Sequence, residues 1–178
     1  MPIDLRTIVI DPGHGGDDHG AEYGGVAEKD INLAIAEFLA FRLEGVRALL
    51  TRTEDAGLAL FDRVEFAHKH GADLFVSIHC DAFEQSSAAG MSVHIHPRCG
   101  GSTHRFAEGV HQALIEDFPD HRDRGIRESD FFVLRKTRCA AMLIECEFLS
   151  NPGMRDFLTD PGNQLAIANA IARGILTV

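Results

Sequence analysis

Leu74-Phe75-Val76-Ser77-Ile78 is a short run that is apolar along nearly its whole length, and His79, Cys80 and Asp81 follow it directly. A strand solvated on one face would alternate. One that stays apolar belongs to a sheet covered on both faces, as parallel sheets are. Working outward, Thr7-Ile8-Val9-Ile10, bounded by Asp11-Pro12-Gly13, reads as another buried strand, and so do Val46 to Thr51 and Met142 to Cys146. Helical patterns lie between them. Ile31, Ala34, Ile35, Phe38 and Leu39 share one face over Asp30 to Leu43, with Gly45 as the stop. Leu60, Phe61, Val64 and Ala67 mark a second helix closed by Gly71, and Phe106, Val110, Ala113 and Leu114 a third. Met91 to His96 alternates, which predicts a more exposed strand with His94 and His96 as polar residues on a sheet edge. Phe131 to Leu134 is a further strand candidate. Asn151-Pro152 and Asp160-Pro161 each join an N-cap to a proline at the first helical position, and the last helix presents Leu165, Ala168, Ile171, Ala172 and Ile175. The alternation predicts one α/β domain over residues 1–178, a mostly parallel twisted sheet with helices on both faces.

Bulk properties exclude several functions. The chain has 178 residues, enough for one domain with a core of its own, and a net charge of −10. That charge argues against nucleic acid as a partner. No stretch reaches the roughly 18 apolar residues of a membrane span. Met1-Pro2-Ile3-Asp4 carries no leader pattern, so the expected setting is the cytoplasm until something releases the protein. The alternative is a domain trimmed from a periplasmic or extracellular protein. Cys80, Cys99, Cys139 and Cys146 form no CxxC pair, which argues against a cysteine metal site and fits free thiols. A monomer is expected.

The polar residues gather at strand ends. His14 follows the first strand, Glu28 precedes the first helix, His79 and Asp81 end the central strand, and Glu145 and Glu147 end a late one. Ligands of open α/β sheets bind outside the carboxyl ends of the strands. Two histidines and a carboxylate form a familiar catalytic zinc set that leaves one position for water. A second carboxylate must then move the water's proton to the leaving nitrogen, and Glu145 is placed for it. Strand alternation puts Glu147 beside Glu145. His68 and His70 suit a helix C-terminus, His104 and His111 a solvated helix face, and Cys80 and Cys146 packing. Arg63 and Arg135 read equally well as substrate contacts or ion pairs.

Four stretches resemble the amidase type 3 family of zinc-dependent N-acetylmuramoyl-L-alanine amidases. They are Ile10-Asp11-Pro12-Gly13-His14-Gly15-Gly16, Thr51-Arg52-Thr53, Ala72 to His79 and Leu143 to Asn151. Their order matches over Thr7 to Ile175. The resemblance implies a six-stranded α/β fold, Zn2+ held by His14, Glu28 and His79, Glu145 as catalytic acid/base, and peptidoglycan as substrate. It implies an enzyme of wall lysis or remodelling, a phage endolysin or a bacterial autolysin. The readings outside the family are another zinc hydrolase, a peptidase or deacetylase, and a wall-binding module without activity. The family's asparagine, glycine and proline are replaced by Asp81, Glu147 and Ala140. Its division enzymes often carry an inserted helix over the metal, and Ala82 to Arg124 is too short for one, so an open site is expected.

Overall fold

The computed structural model describes residues 5–178; Met1 to Asp4, where no leader was read, lie outside the described residues. The elements run β1 (Thr7–Pro12), β2 (Glu22–Tyr23), β3 (Val26–Ala27), α1 (Glu28–Arg42), β4 (Arg47–Leu50), α2 (Leu60–Lys69) and β5 (Leu74–Asp81). There follow β6 (Met91–Ile95), α3 (Gly101–Asp117), β7 (Asp123–Glu128), α4 (Phe132–Lys136), β8 (Ala140–Phe148), α5 (Pro152–Thr159) and α6 (Pro161–Leu176). Six strands form one sheet in the order β4-β1-β5-β8-β6-β7, and β2 and β3 make a separate small hairpin. All sheet neighbours are parallel except β6 and β8. The mostly parallel six-stranded α/β fold expected from the sequence is the fold observed.

Burial explains the sequence pattern. The even-numbered side chains of the central strands, such as Ile8, Ile10, Leu74, Val76, Met142 and Ile144, pack with α1, α3 and α6 into the larger core. Val9, Phe75, Ala141 and Leu143 face the other way, into a smaller core with Val64 and Ala67 of α2 and Val133 and Leu134 of α4. Both faces are therefore apolar, which is why these strands do not alternate. The two expected caps are present: Asn151 accepts from the backbone N–H of Gly153 and Met154, and Asp160 from that of Asn163.

Three readings need correction, and one strand was missed. Met91 to Ile95 is no edge strand; it lies between β8 and β7, mostly buried, and its alternation reports only the half-buried His94. The Phe131–Leu134 run forms α4 rather than a strand, because four apolar residues fit one helical turn as well as a strand. The true edge strand β7 was not foreseen, since Asp123-Arg124-Gly125-Ile126-Arg127-Glu128 carries one apolar side chain and a glycine at φ 74°. Glu147 does not flank Glu145. The β5–β8 register slips between the pairs His79–Glu145 and Asp81–Phe148, so one extra residue in β8 breaks the alternation there.

The bulge has a use. Glu147 is fully buried, and its carboxylate accepts from Gly90 N–H at 2.7 Å, Phe148 N–H at 3.0 Å and His121 Nδ1 at 2.9 Å. Residues 82–90 cross the end of β8 to reach β6, and Glu147 fastens their far end. Ser150 Oγ accepts from Phe83 N–H, and Asn151 Nδ2 donates to Ala88 O. The 82–90 connection contains no helix, and α3 docks on α6 and β6.

Candidate metal centre and catalytic cleft

His14, Glu28 and His79 come together at the carboxyl ends of β1 and β5 and the start of α1. One ligand atom from each lies within 4.8 Å of the others. Glu28 is the first residue of α1, not a residue ahead of it. Its carboxylate lies 3.1 Å from His14 Nε2 through Oε2 and 3.0 Å from His79 Nδ1 through Oε1. The imidazole rings stand nearly edge to face, centroids 5.0 Å apart. Burial would raise the Glu28 carboxyl, but the two histidines override it and hold the group well below the usual carboxylate range. Burial opposes a charged His14 ring, yet hydrogen bonds and charge from Glu28 and Asp18 lift it to about 9.

The surrounding chain fixes these donors. His14 is the one non-glycine residue with a positive φ, 62°, among the described residues. Its turn is held from below by two buried arginines. Arg63 donates to Pro12 O and His14 O at 2.7 Å each, and Arg52 to Pro12 O and Gly13 O at 3.1 and 2.9 Å. Arg63 also pairs with Asp11 at 2.8 Å, and Thr51 and Ser77 hydroxyls donate to the same carboxylate. The question left open at Arg63 is thus answered: it is a buried structural ion pair. Arg135 forms an exposed one with Asp130. On its outer side, His14 Nδ1 meets Asp18 Oδ1 at 2.9 Å, which orients the ring with Nε2 toward Glu28.

Glycines let the groups approach. A Cβ at Gly13 would collide with the His79 ring, and one at Gly20 would sit 2.6 Å from His14 Cδ2. Asn32 Nδ2, the backbone N–H of Ala21 and that of Cys80 all donate to Glu28. Asn32 and Asp18 were not foreseen as supports. Their only signal is spacing: each lies four residues beyond its partner.

Glu145 stands opposite His79 on β8. It lines a cleft of about 510 Å³ with His14, His79, Asp18, Leu58, Leu60, Phe131 and Leu143. The residue keeps partial access to the cleft, but its Oε2 is buried and has no partner. Burial pushes its carboxyl up to about 7; His79 opposes that, while Asp81 and Glu28 add to it. Asp81 is half-buried, accepts from Ala82 N–H, and has its own carboxyl raised by burial. Among the described residues, His94 and His96 join no metal cluster: His94 bonds Ser92 and Ser129, and His96 pairs with Asp130. Cys80 and Cys146 are buried packing residues and all four cysteines are free. No helix of the described residues is long and apolar enough to cross a membrane.

The donor set fits a divalent cation of borderline softness. Two imidazole nitrogens and a carboxylate converge, and a carboxyl group that burial raises to about 7 stands alongside.

Comparison with known proteins gives the same direction. A family described as N-acetylmuramoyl-L-alanine amidase matches residues 8–177. The chain is 38% identical over 177 residues to the uncharacterized protein YqiI of Bacillus subtilis, covering 98% of this chain and 85% of that protein. It is 35% identical to the N-acetylmuramoyl-L-alanine amidase CwlM of Bacillus licheniformis, covering 96% of this chain and 68% of the relative. The crystal structure of an N-acetylmuramoyl-L-alanine amidase from Clostridium difficile 630 superposes with a TM-score of 0.93 at 34% identity, covering 98% of this chain and 97% of the other.

Proposed function

The chain belongs to the amidase type 3 family of N-acetylmuramoyl-L-alanine amidases and acts on peptidoglycan, and from that premise we propose that it works as a zinc enzyme, with His14, Glu28 and His79 as ligands and Glu145 as general acid/base. The bond cut is the amide between N-acetylmuramic acid and L-alanine. A zinc ion bound there supplies Lewis acidity toward the amide carbonyl and a water made acidic near neutral pH.

The residues of the chain do the rest. Glu145 accepts the proton of the attacking water and returns it to the alanine nitrogen as the C–N bond breaks. Its position opposite His79 keeps that proton within the cleft. Burial raises its affinity for a proton into the range where it can both take and give one. Asp18 and Asn32 hold His14 and Glu28 in orientation, and Leu58, Leu60 and Phe131 present apolar walls to the substrate. The observation that carries this reading is the unpartnered buried oxygen of Glu145 in the same cleft as the three converging donors. A structural glutamate would have a partner for it.

Metal content and stem-peptide release from purified sacculi, measured before and after chelation, test the proposal. About one zinc per chain is expected, with release lost on chelation, restored by zinc, and yielding peptides with a free amino-terminal alanine. Release that survives full removal of metal overturns the zinc mechanism, and a different new amino terminus overturns the bond.

Gly13→Ala tests the ligand set separately. The backbone at Gly13 is not in the left-handed region, so the added methyl acts only by displacing His79. Zinc affinity, read by competition with a chromophoric chelator, is expected to fall about 10- to 100-fold, the usual effect of disturbing a ligand's support. An unchanged affinity would remove His79 from the set.

A further inference from the structure

The face of the sheet that carries Glu145 also bears a charge that this chemistry leaves unused. In the row below Glu145, Leu143 of β8 pairs with His94 of β6, and His94 pairs with Arg127 of β7. Partners across a ladder share a face, and so do residues two apart on one strand. Leu143, His94 and Arg127 therefore stand on the Glu145 side. The residues between them confirm the sense: Val93 is buried in the larger core on the opposite side, and Ile126 packs against it. Leu143 and Phe131 line the cleft, and the His94 ring lies 5.4 Å from the Phe131 ring. The row leads from the cleft floor to the outermost strand.

His94 is occupied, with Nε2 3.1 Å from Ser92 Oγ and Nδ1 2.7 Å from Ser129 Oγ. Burial, with the Arg127 charge next, pushes its pKa down to about 4, so it stands as a neutral spacer. Arg124 is also occupied: it donates to Ala89 O and lies over the Phe148 ring at 4.7 Å. Arg127 differs. It is exposed and enters no ion pair among the described residues, although the chain carries ten excess negative charges. Its field reaches both His94 and Asp81.

We infer that Arg127 binds a carboxylate of the stem peptide, the α-carboxylate of the second stem residue, and thereby selects stems that carry the acid over stems that carry the amide. The inference rests on the amidase reading. The reach is adequate: β7 lies two strand spacings, about 10 Å, from β8. A long side chain on one end and one or two substrate residues of about 3.5 Å each on the other close that gap. A guanidinium presents a planar pair of donors that matches a carboxylate and has no equivalent match to a carboxamide.

The test uses two muramoyl tetrapeptides that differ only at that group, α-carboxylate in one and α-carboxamide in the other, with kcat/KM read from the alanine amino terminus released. The wild-type enzyme is expected to favour the acid about tenfold. Arg127→Gln is expected to lose that factor on the acid while its rate on the amide stays within about twofold, and Arg127→Lys to recover part of it. Equal wild-type rates on both, or an equal fall on both in Arg127→Gln, overturns the inference. Release from neither substrate overturns the amidase reading beneath it, a distinguishable result.

Discussion

Glu145→Gln is expected to lower stem-peptide release about a thousandfold, the scale of a lost general acid/base, while zinc still binds and the metal-free protein becomes more stable at neutral pH. The second effect follows from the same burial as the first. The folded carboxyl has a pKa of about 7 against an ordinary 4.5. The folded state therefore holds the proton more tightly than the unfolded state, and stability is lost as pH rises from about 4.5 through 7. Glutamine is neutral throughout and escapes that loss. The variant should match the wild type below pH 4.5, gain on it through neutrality, and level off above pH 7 at an advantage of about 3 kcal/mol. Urea unfolding in chelator at pH 4 and pH 8, beside the activity assay, reads both. A difference that is flat in pH sinks the electrostatic account, and retained turnover sinks the catalytic one.

Arg63→Ala is expected to be the most destabilising single change near the site, at about 3 to 5 kcal/mol, because it leaves the fully buried Asp11 carboxylate without its cation. The loss spreads further than one ion pair. The guanidinium also satisfies the carbonyls of Leu58, Pro12 and His14, so removing it frees the turn that aims His14. Arg63→Lys should recover little, since an ammonium group cannot serve Asp11 and three carbonyls in fixed directions. Denaturant unfolding of both variants decides it. A loss under about 1 kcal/mol in the alanine variant would mean that water replaces the arginine and that the pair is marginal.

The site was more legible in the sequence than its supports. His14, Glu28, His79 and Glu145 each sit at the end of an apolar run or the start of a helix, and the carboxyl edge of a parallel sheet collects such residues wherever they fall in the chain. Arg63 was ambiguous because a buried arginine has no periodic signature of its own; only the fold reveals that Asp11 awaits it. β1, β5 and β8 were readable since burial on both faces removes alternation. β6 was misread for the same reason in reverse: its His94 imitates a solvent-facing position while bonding two serines inside the sheet. Glu147 was misassigned because alternation presumes an unbroken ladder, and a bulge leaves no mark in the residue types.

The reversed direction of β6 also governs where this enzyme can grow. In an all-parallel sheet, the chain leaving β5 would have to cross back to the opposite edge before it entered the next strand. Here the connection from β5 to β6 never leaves the catalytic edge, and it is pinned at its ends by Ser150, Asn151 and Glu147. Residues 84–87 belong to neither core, so a segment spliced between those pins would leave both intact, at the edge of the sheet that carries the cleft. The architecture thus offers an engineering port: a sensor peptide or small ligand-binding module inserted among residues 84–87 would sit at the catalytic edge, and the fold beneath it would not need to be redesigned.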